Sequence, residues 1–253
     1  MKKPEGYRLK DHNRTKTTHQ YSSSESGGNR TSREVTNKNL ILFKVSSRLH
    51  SNNNKAVDIL KAGGIVIFPT DTVYGIGCRF DDQKAINRIY QIKGTPKDQS
   101  FPLLVSNISQ VKKLAIITKI GQKLIDEYWP GALTIILPSR HPERERRIYS
   151  DSSATPQNDI SKVGFRMPDS DFIRSLINKV GVPIIGTSAN FYGQMPAKSF
   201  KDLDPKLVGL ADFVIKGECQ GGIESTVVDV TVDSPKILRK GAVDINSINQ
   251  LTD

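Results

Sequence analysis

The stretch Phe68-Pro69-Thr70-Asp71-Thr72-Val73-Tyr74-Gly75-Ile76-Gly77 follows the apolar run Ile65 to Phe68 and brings hydroxyls, a carboxylate and small flexible residues to one point of the chain. An apolar run closed by Pro69 predicts a buried strand, because proline has no N–H to give to a ladder. A polar, glycine-bearing turn after a buried strand is where an open α/β sheet places its chemistry, although such a turn needs no function on its own. Outward from it the same alternation recurs. Leu40 to Val45 predicts a strand, and Lys55 to Ala62 a helix stopped by Gly63 and Gly64. Asp81 or Asp82 caps a helix whose apolar positions Ala85, Ile86, Ile89 and Tyr90 share one face. Further strands are expected at Leu103 to Val105, Leu133 to Leu137, Val163 to Arg166, Pro183 to Gly186, Asp212 to Ile215 and Thr226 to Val230, and helices at Ser109 to Ala115, Ile120 to Tyr128, Phe172 to Val180 and Lys201 to Val208. Short β-branched runs alternating with amphipathic stretches define a mixed α/β domain.

Composition bounds the function classes. With 253 residues, 36% hydrophobic and 25% charged, the chain can bury a real core. Its apolar runs are far shorter than the roughly 20 residues that span a bilayer, so no membrane partner is expected. The N-terminal lysines precede no apolar stretch, which points to the cytoplasm. Cys78 and Cys219 lie too far apart for a C-x-x-C pair and have no histidine at ligand spacing, which excludes a zinc module and a disulfide scaffold. The formal charge of +11 suggests an anionic partner.

That charge is unevenly spread. Residues 1 to 39 hold nine Lys/Arg against four Asp/Glu and only five apolar residues, so the segment cannot offset its ordering entropy and is expected to be a disordered basic tail. The body, 40 to 253, is only mildly basic, and within it Ser139 to Ser161 lacks periodicity and is expected to form a mobile surface loop.

Three further clusters accompany the first turn. Lys93-Gly94-Thr95-Pro96-Lys97-Asp98 sets two lysines around a Gly/Pro turn, which can grip a phosphate chain or simply end a helix whose dipole favours lysine. Pro183 to Asn190 repeats the strand-to-polar-turn pattern, and Gly221-Gly222-Ile223-Glu224-Ser225-Thr226 precedes another strand. The succession Pro69 to Gly75, Lys93 to Thr95, Trp129 to Thr134, Val163 to Pro168, Thr187 to Asn190, Gly222 to Thr226 and Leu238 to Gly241 resembles the YrdC-like family of threonylcarbamoyl-AMP synthases, over roughly residues 45 to 245.

The resemblance implies an open, twisted, mixed sheet flanked by helices, with a concave basic cavity. It implies that L-threonine, bicarbonate or CO2, and ATP give threonylcarbamoyl-AMP and pyrophosphate, with a tRNA threonylcarbamoyl transferase complex as the next partner and tRNA as a further one. Magnesium would accompany ATP, held by phosphate oxygens and water rather than by a carboxylate cage. A carbamate oxygen attacks the α-phosphate, so positioning and charge neutralisation suffice without a protein nucleophile. The four histidines, His12, His19, His50 and His141, all fall outside the motifs.

By motif position, Thr70, Ser106, Arg166, Gly186 and Ser225 are implied to serve threonine. Lys93, Thr95, Lys97, Gln99, Lys162, Ser188, Asn190, Pro196 and Arg239 are implied to serve ATP, with Lys93 and Arg166 as the catalytic pair. Four positions depart from the family pattern: Thr95 replaces an arginine, Gln99 an asparagine, Ser106 a histidine and Lys162 a threonine. The departures fall mainly on the ATP side, where Lys97 is the nearest substitute charge. Two other readings stay open: a non-catalytic module binding tRNA or double-stranded RNA through its phosphates, and a relative of carbamoyltransferase maturation domains.

Overall fold

The computed structural model describes residues 53–140, 162–232 and 234–252. The basic tail, the strand expected at Leu40 to Val45 and all but the first two residues of the loop expected at Ser139 to Ser161 lie outside the described residues.

The described strands are β1 (Val66–Phe68), β2 (Gly75–Arg79), β3 (Leu103–Leu104), β4 (Leu133–Pro138), β5 (Lys162–Arg166), β6 (Ile184–Ser188), β7 (Phe213–Val214), β8 (Thr226–Asp229) and β9 (Lys236–Arg239). They form one sheet in the order β7-β1-β2-β6-β3-β5-β4-β8-β9. Pairing is parallel at β1/β7, β3/β5 and β4/β8, and antiparallel at the other junctions. The sheet is open and mixed.

Alternation along each strand sorts the side chains into two layers. Ile65, Ile67, Leu103, Phe165 and Ile185 enter a core closed by the helices Gln83–Lys93, Ile108–Leu114 and Lys119–Tyr128. Val66, Phe68, Leu104 and Ile184 point the other way, against a helix over residues 53–61 and the helix Asp171–Val180. β1 is covered on both faces, which is why it reads as an uninterrupted apolar run. On β5 the same alternation sends Val163 and Phe165 into the first core and leaves Lys162, Gly164 and Arg166 to line cavities on the opposite face.

Helix boundaries follow their caps. Asp82 accepts the Ala85 N–H at 3.0 Å and starts Gln83–Lys93, which Gly94 ends at φ +66°. The helix expected over Lys201 to Val208 is instead two pieces, a 3-10 turn Phe200–Asp202 and a helix Pro205–Leu210. Pro205 can only occupy a first turn, and Asp204 caps it by accepting the Lys206 N–H at 2.7 Å. Three elements escaped the periodicity: β2, β9 and the helix Ile245–Thr252. β2 reads as a glycine turn because Gly75 and Gly77 lie against the Phe68 ring, where side chains would not fit.

Candidate functional site

Pro69 to Tyr74 forms a turn laced by its own hydroxyls. Thr70 Oγ1 donates to the Val73 carbonyl at 2.7 Å and accepts the Thr72 N–H at 3.1 Å. The Gly221 and Gly222 N–H groups donate to the carbonyls of Asp71 and Thr72, docking the second glycine turn on the first. Residues about 150 positions apart therefore share one wall.

Arg166, at the end of β5 and 6% exposed, is the hub. Its Nη2 donates to Asp71 Oδ1 at 2.6 Å, Nη1 to Thr72 Oγ1 at 2.8 Å and Nε to the Gly131 carbonyl at 3.0 Å. The Trp129 to Thr134 motif supplies that last carbonyl through a turn with a cis Trp129–Pro130 bond and a Trp129 Nε1 donation to the Leu133 carbonyl at 2.7 Å. Burial pushes the guanidinium below its usual pKa, and Asp71 opposes that shift. Three of its five N–H groups are thus engaged among the described residues.

Around Arg166 lies a recess of about 70 Å³ lined by Thr70, Thr134, Gly186, Ser188, Glu224, Ser225 and Arg239, among others. Ser225 Oγ and Thr134 Oγ1 are 2.8 Å apart, and Arg239 Nη2 donates to Ser225 Oγ at 3.0 Å. Two larger chambers share Pro102 and Arg239 with it. One, of about 220 Å³, is lined by Lys93, Thr95, Gln99, Asn190 and Tyr192. The other, of about 310 Å³, is lined by Phe101, Ile136, Lys162 and Val227.

Lys93 closes the helix Gln83–Lys93 and is 5% exposed. Its Nζ donates to the carbonyls of Ser188 and, at 2.6 Å, Asn190. Among the described residues no carboxylate lies within ion-pairing distance of it, unlike Lys162 on Asp229, Arg166 on Asp71 and Arg239 on Glu224. Burial therefore dominates and draws its pKa down to about 8, with Glu224 pulling weakly upward. In the same chamber Thr95 Oγ1 and Asn190 Oδ1 are buried without a hydrogen-bond partner. Unpaired polar atoms in the same chamber as an amine that has no carboxylate partner among the described residues describe a site that a polyanionic, hydrogen-bonding ligand would complete.

A lowered lysine pKa has a stability signature. Between about pH 8 and the unfolded lysine's ordinary value, the unfolded state binds more protons than the native one, so stability rises with pH. Denaturant unfolding of the wild type should show this rise relative to Lys93→Met; parallel curves for the two proteins would mean that the folded amine titrates normally.

Not every residue implied by the resemblance enters these cavities. Thr70, Lys93, Thr95, Gln99, Lys162, Arg166, Gly186, Ser188, Asn190, Ser225 and Arg239 line them. Ser106, Lys97 and Pro196 are not among the lining residues. Ser106 instead precedes Asn107, the cap of the helix Ile108–Leu114, and its N–H donates to Gln110 Oε1 at 2.8 Å. Gln99 Nε2 donates to the Tyr192 hydroxyl at 2.9 Å, across the mouth of the lysine chamber. Asp71, Thr72, Thr134, Tyr192 and Glu224 were not singled out as site residues, although four of them stand inside the quoted motifs. Among the described residues no cluster of three or more His, Cys, Asp or Glu is placed to hold a metal, and no helix is long and apolar enough to cross a membrane.

A family profile covering Sua5, YciO and YrdC, described as telomere recombination, matches residues 58–241. The threonylcarbamoyl-AMP synthase of Bacillus subtilis (strain 168) is 33% identical over 207 residues, 79% of this chain and 57% of that protein. The uncharacterised YciO protein of Escherichia coli (strain K12) is 29% identical over 197 residues, 76% of this chain and 90% of that one. Among solved structures, Pyrococcus abyssi Sua5 complexed with L-threonine superposes with a TM-score of 0.66 at 29% identity, covering 79% of this chain and 56% of that chain. The chain thus spans little more than half the length of some relatives and nearly all of others.

Proposed function

Because the chain belongs to the Sua5, YciO and YrdC family, we propose that it is an L-threonylcarbamoyladenylate synthase, making threonylcarbamoyl-AMP and pyrophosphate from L-threonine, bicarbonate or CO2, and ATP in the cytoplasm. The product would pass to a tRNA threonylcarbamoyl transferase complex. The observation that carries the reading is the adjacency of two cavities: a small recess holding Arg166, two of whose N–H groups are unengaged among the described residues, shares Pro102, Ser188 and Arg239 in its wall with the chamber of Lys93. The relatives named threonylcarbamoyl-AMP synthase and the threonine-bound Sua5 structure support it.

In this reading the threonine carboxylate takes the free edge of Arg166, and Thr70, Ser225 and Thr134 hold its remaining polar atoms. The carbamate formed on its nitrogen is aimed out of the recess toward the α-phosphate. Lys93 and Arg239 neutralise the phosphate chain, whose pyrophosphate departs, and the apolar lining given by Phe101, Ile136 and Val227 suits a base. Magnesium would neutralise part of the triphosphate's charge. Among the described residues no cluster of carboxylates is placed to hold a metal, so its ligands would be phosphate oxygens and water.

The test is to incubate the purified chain with ATP, L-threonine and bicarbonate and measure pyrophosphate. Release that requires threonine is the expected result. RNA binding with a steep salt dependence and no pyrophosphate would replace this reading with a nucleic-acid module.

A further inference from the structure

We propose that Glu224 recognises the α-ammonium group of the substrate amino acid opposite Arg166, so that the recess reads a zwitterion; this rests on the threonine reading above. Among the described residues lining the recess Glu224 is the sole carboxylate. Its Oε1 accepts from Arg239 Nη1 at 3.1 Å, while Oε2 is engaged by no described residue. The pair is braced in place, since Arg239 also donates through Nε to the Ser225 carbonyl at 3.1 Å and through Nη2 to Ser225 Oγ. Asp71 does not take this role, because it does not line the recess.

Charge balance points the same way. The two guanidiniums of the recess each face one carboxylate, Arg166 on Asp71 and Arg239 on Glu224. A recess with no net charge does not attract a bare anion strongly, but a ligand carrying both signs can meet Arg166 with one end and Glu224 with the other. The Glu224 field also reaches Lys93. Arg239, on which Glu224 rests, lines the lysine chamber as well as the recess, so an ammonium held by Glu224 would lie toward the proposed phosphate site, where its nitrogen must later carry the carbamate. An α-hydroxy acid of the same shape would leave Oε2 without a cation, and such mismatches are discriminated strongly.

Titration calorimetry on the full chain with L-threonine and with its α-hydroxy analogue, 2,3-dihydroxybutanoate of matching stereochemistry, tests this. The wild type should prefer threonine by about ten- to a hundredfold, the worth of a charge-assisted hydrogen bond. Glu224→Gln should remove most of that preference. If Glu224 only braces Arg239, the variant weakens both ligands alike and the unchanged ratio overturns the assignment. Equal affinity of the wild type for the two ligands overturns it without any variant. A wild type that binds no threonine sinks the substrate reading and this assignment with it, whereas threonine binding with an unaltered ratio in Glu224→Gln sinks the assignment alone.

Discussion

Arg166→Met should destabilise the protein by about 3 to 5 kcal/mol, because it strands the Asp71 carboxylate in a site where it has lost its partner. The two side chains are 7% and 9% exposed and lie 2.6 Å apart, so water cannot take over the arginine's role. For a folded body of this size that loss corresponds to a fall in Tm of roughly 6 to 20 °C. Thermal unfolding checks it: a shift of only a degree or two would show that Asp71 is solvated or protonated without cost. The double variant Arg166→Met with Asp71→Leu should recover a good part of the stability while binding no amino acid, since removing both partners leaves no orphan charge. In this account Arg166 holds the fold together as well as serving the proposed carboxylate contact. A simple alanine substitution would confound the two, and Arg166→Lys, which keeps the charge but not the fork, is the cleaner probe of threonine affinity.

Gly77→Ala should cost about 3 kcal/mol or more, the upper part of the range for overpacking. Gly77 pairs with Gly186 across β2 and β6, in the middle of the sheet. A Cβ at 77 would overlap the Ile185 carbonyl oxygen and press on the Phe68 ring, and a strand backbone held in two ladders cannot move aside. At Gly186 the same methyl would overlap the side chain of Leu104, which itself lines the recess. The resemblance implies that Gly186 lets the ligand approach; the structure adds that Leu104 already fills the space above it. Gly209→Ala is the control: nothing lies within 4 Å of its Cβ position, so helix propensity alone should make it neutral or slightly stabilising. Denaturant melts of the three variants should rank accordingly, and a Gly77→Ala protein as stable as Gly209→Ala would refute the packing account.

Local chemistry determined much of the architecture. The runs around Val66–Phe68 and Ile184–Ser188 are strands because their apolar residues fill both layers, Leu133–Pro138 is one because Leu133, Ile135 and Leu137 alternate into a single layer, and Asp82, Asn107, Thr118 and Ser170 start helices because their side chains accept the free N–H groups that follow. These are effects of residues a few positions apart, and they are legible in order along the chain. The motif succession, read as a family resemblance, also marked most residues that line the cavities. What only the tertiary structure decided is who faces whom. Asp71 and Arg166 are 95 positions apart, Thr134 and Ser225 are 91 apart, and Lys93 meets the Ser188 carbonyl across a similar separation. Each of those meetings depends on the register of strands that are not neighbours in sequence, and no local period encodes it. The same is true of β2, whose glycines look like a turn until the Phe68 ring and the Ile185 carbonyl are brought against them. Sequence supplied the charged and polar groups; the sheet order decided that Arg166 would be tied to Asp71, that Lys93 would have no acid partner among the described residues, and that Glu224 would stand in the recess.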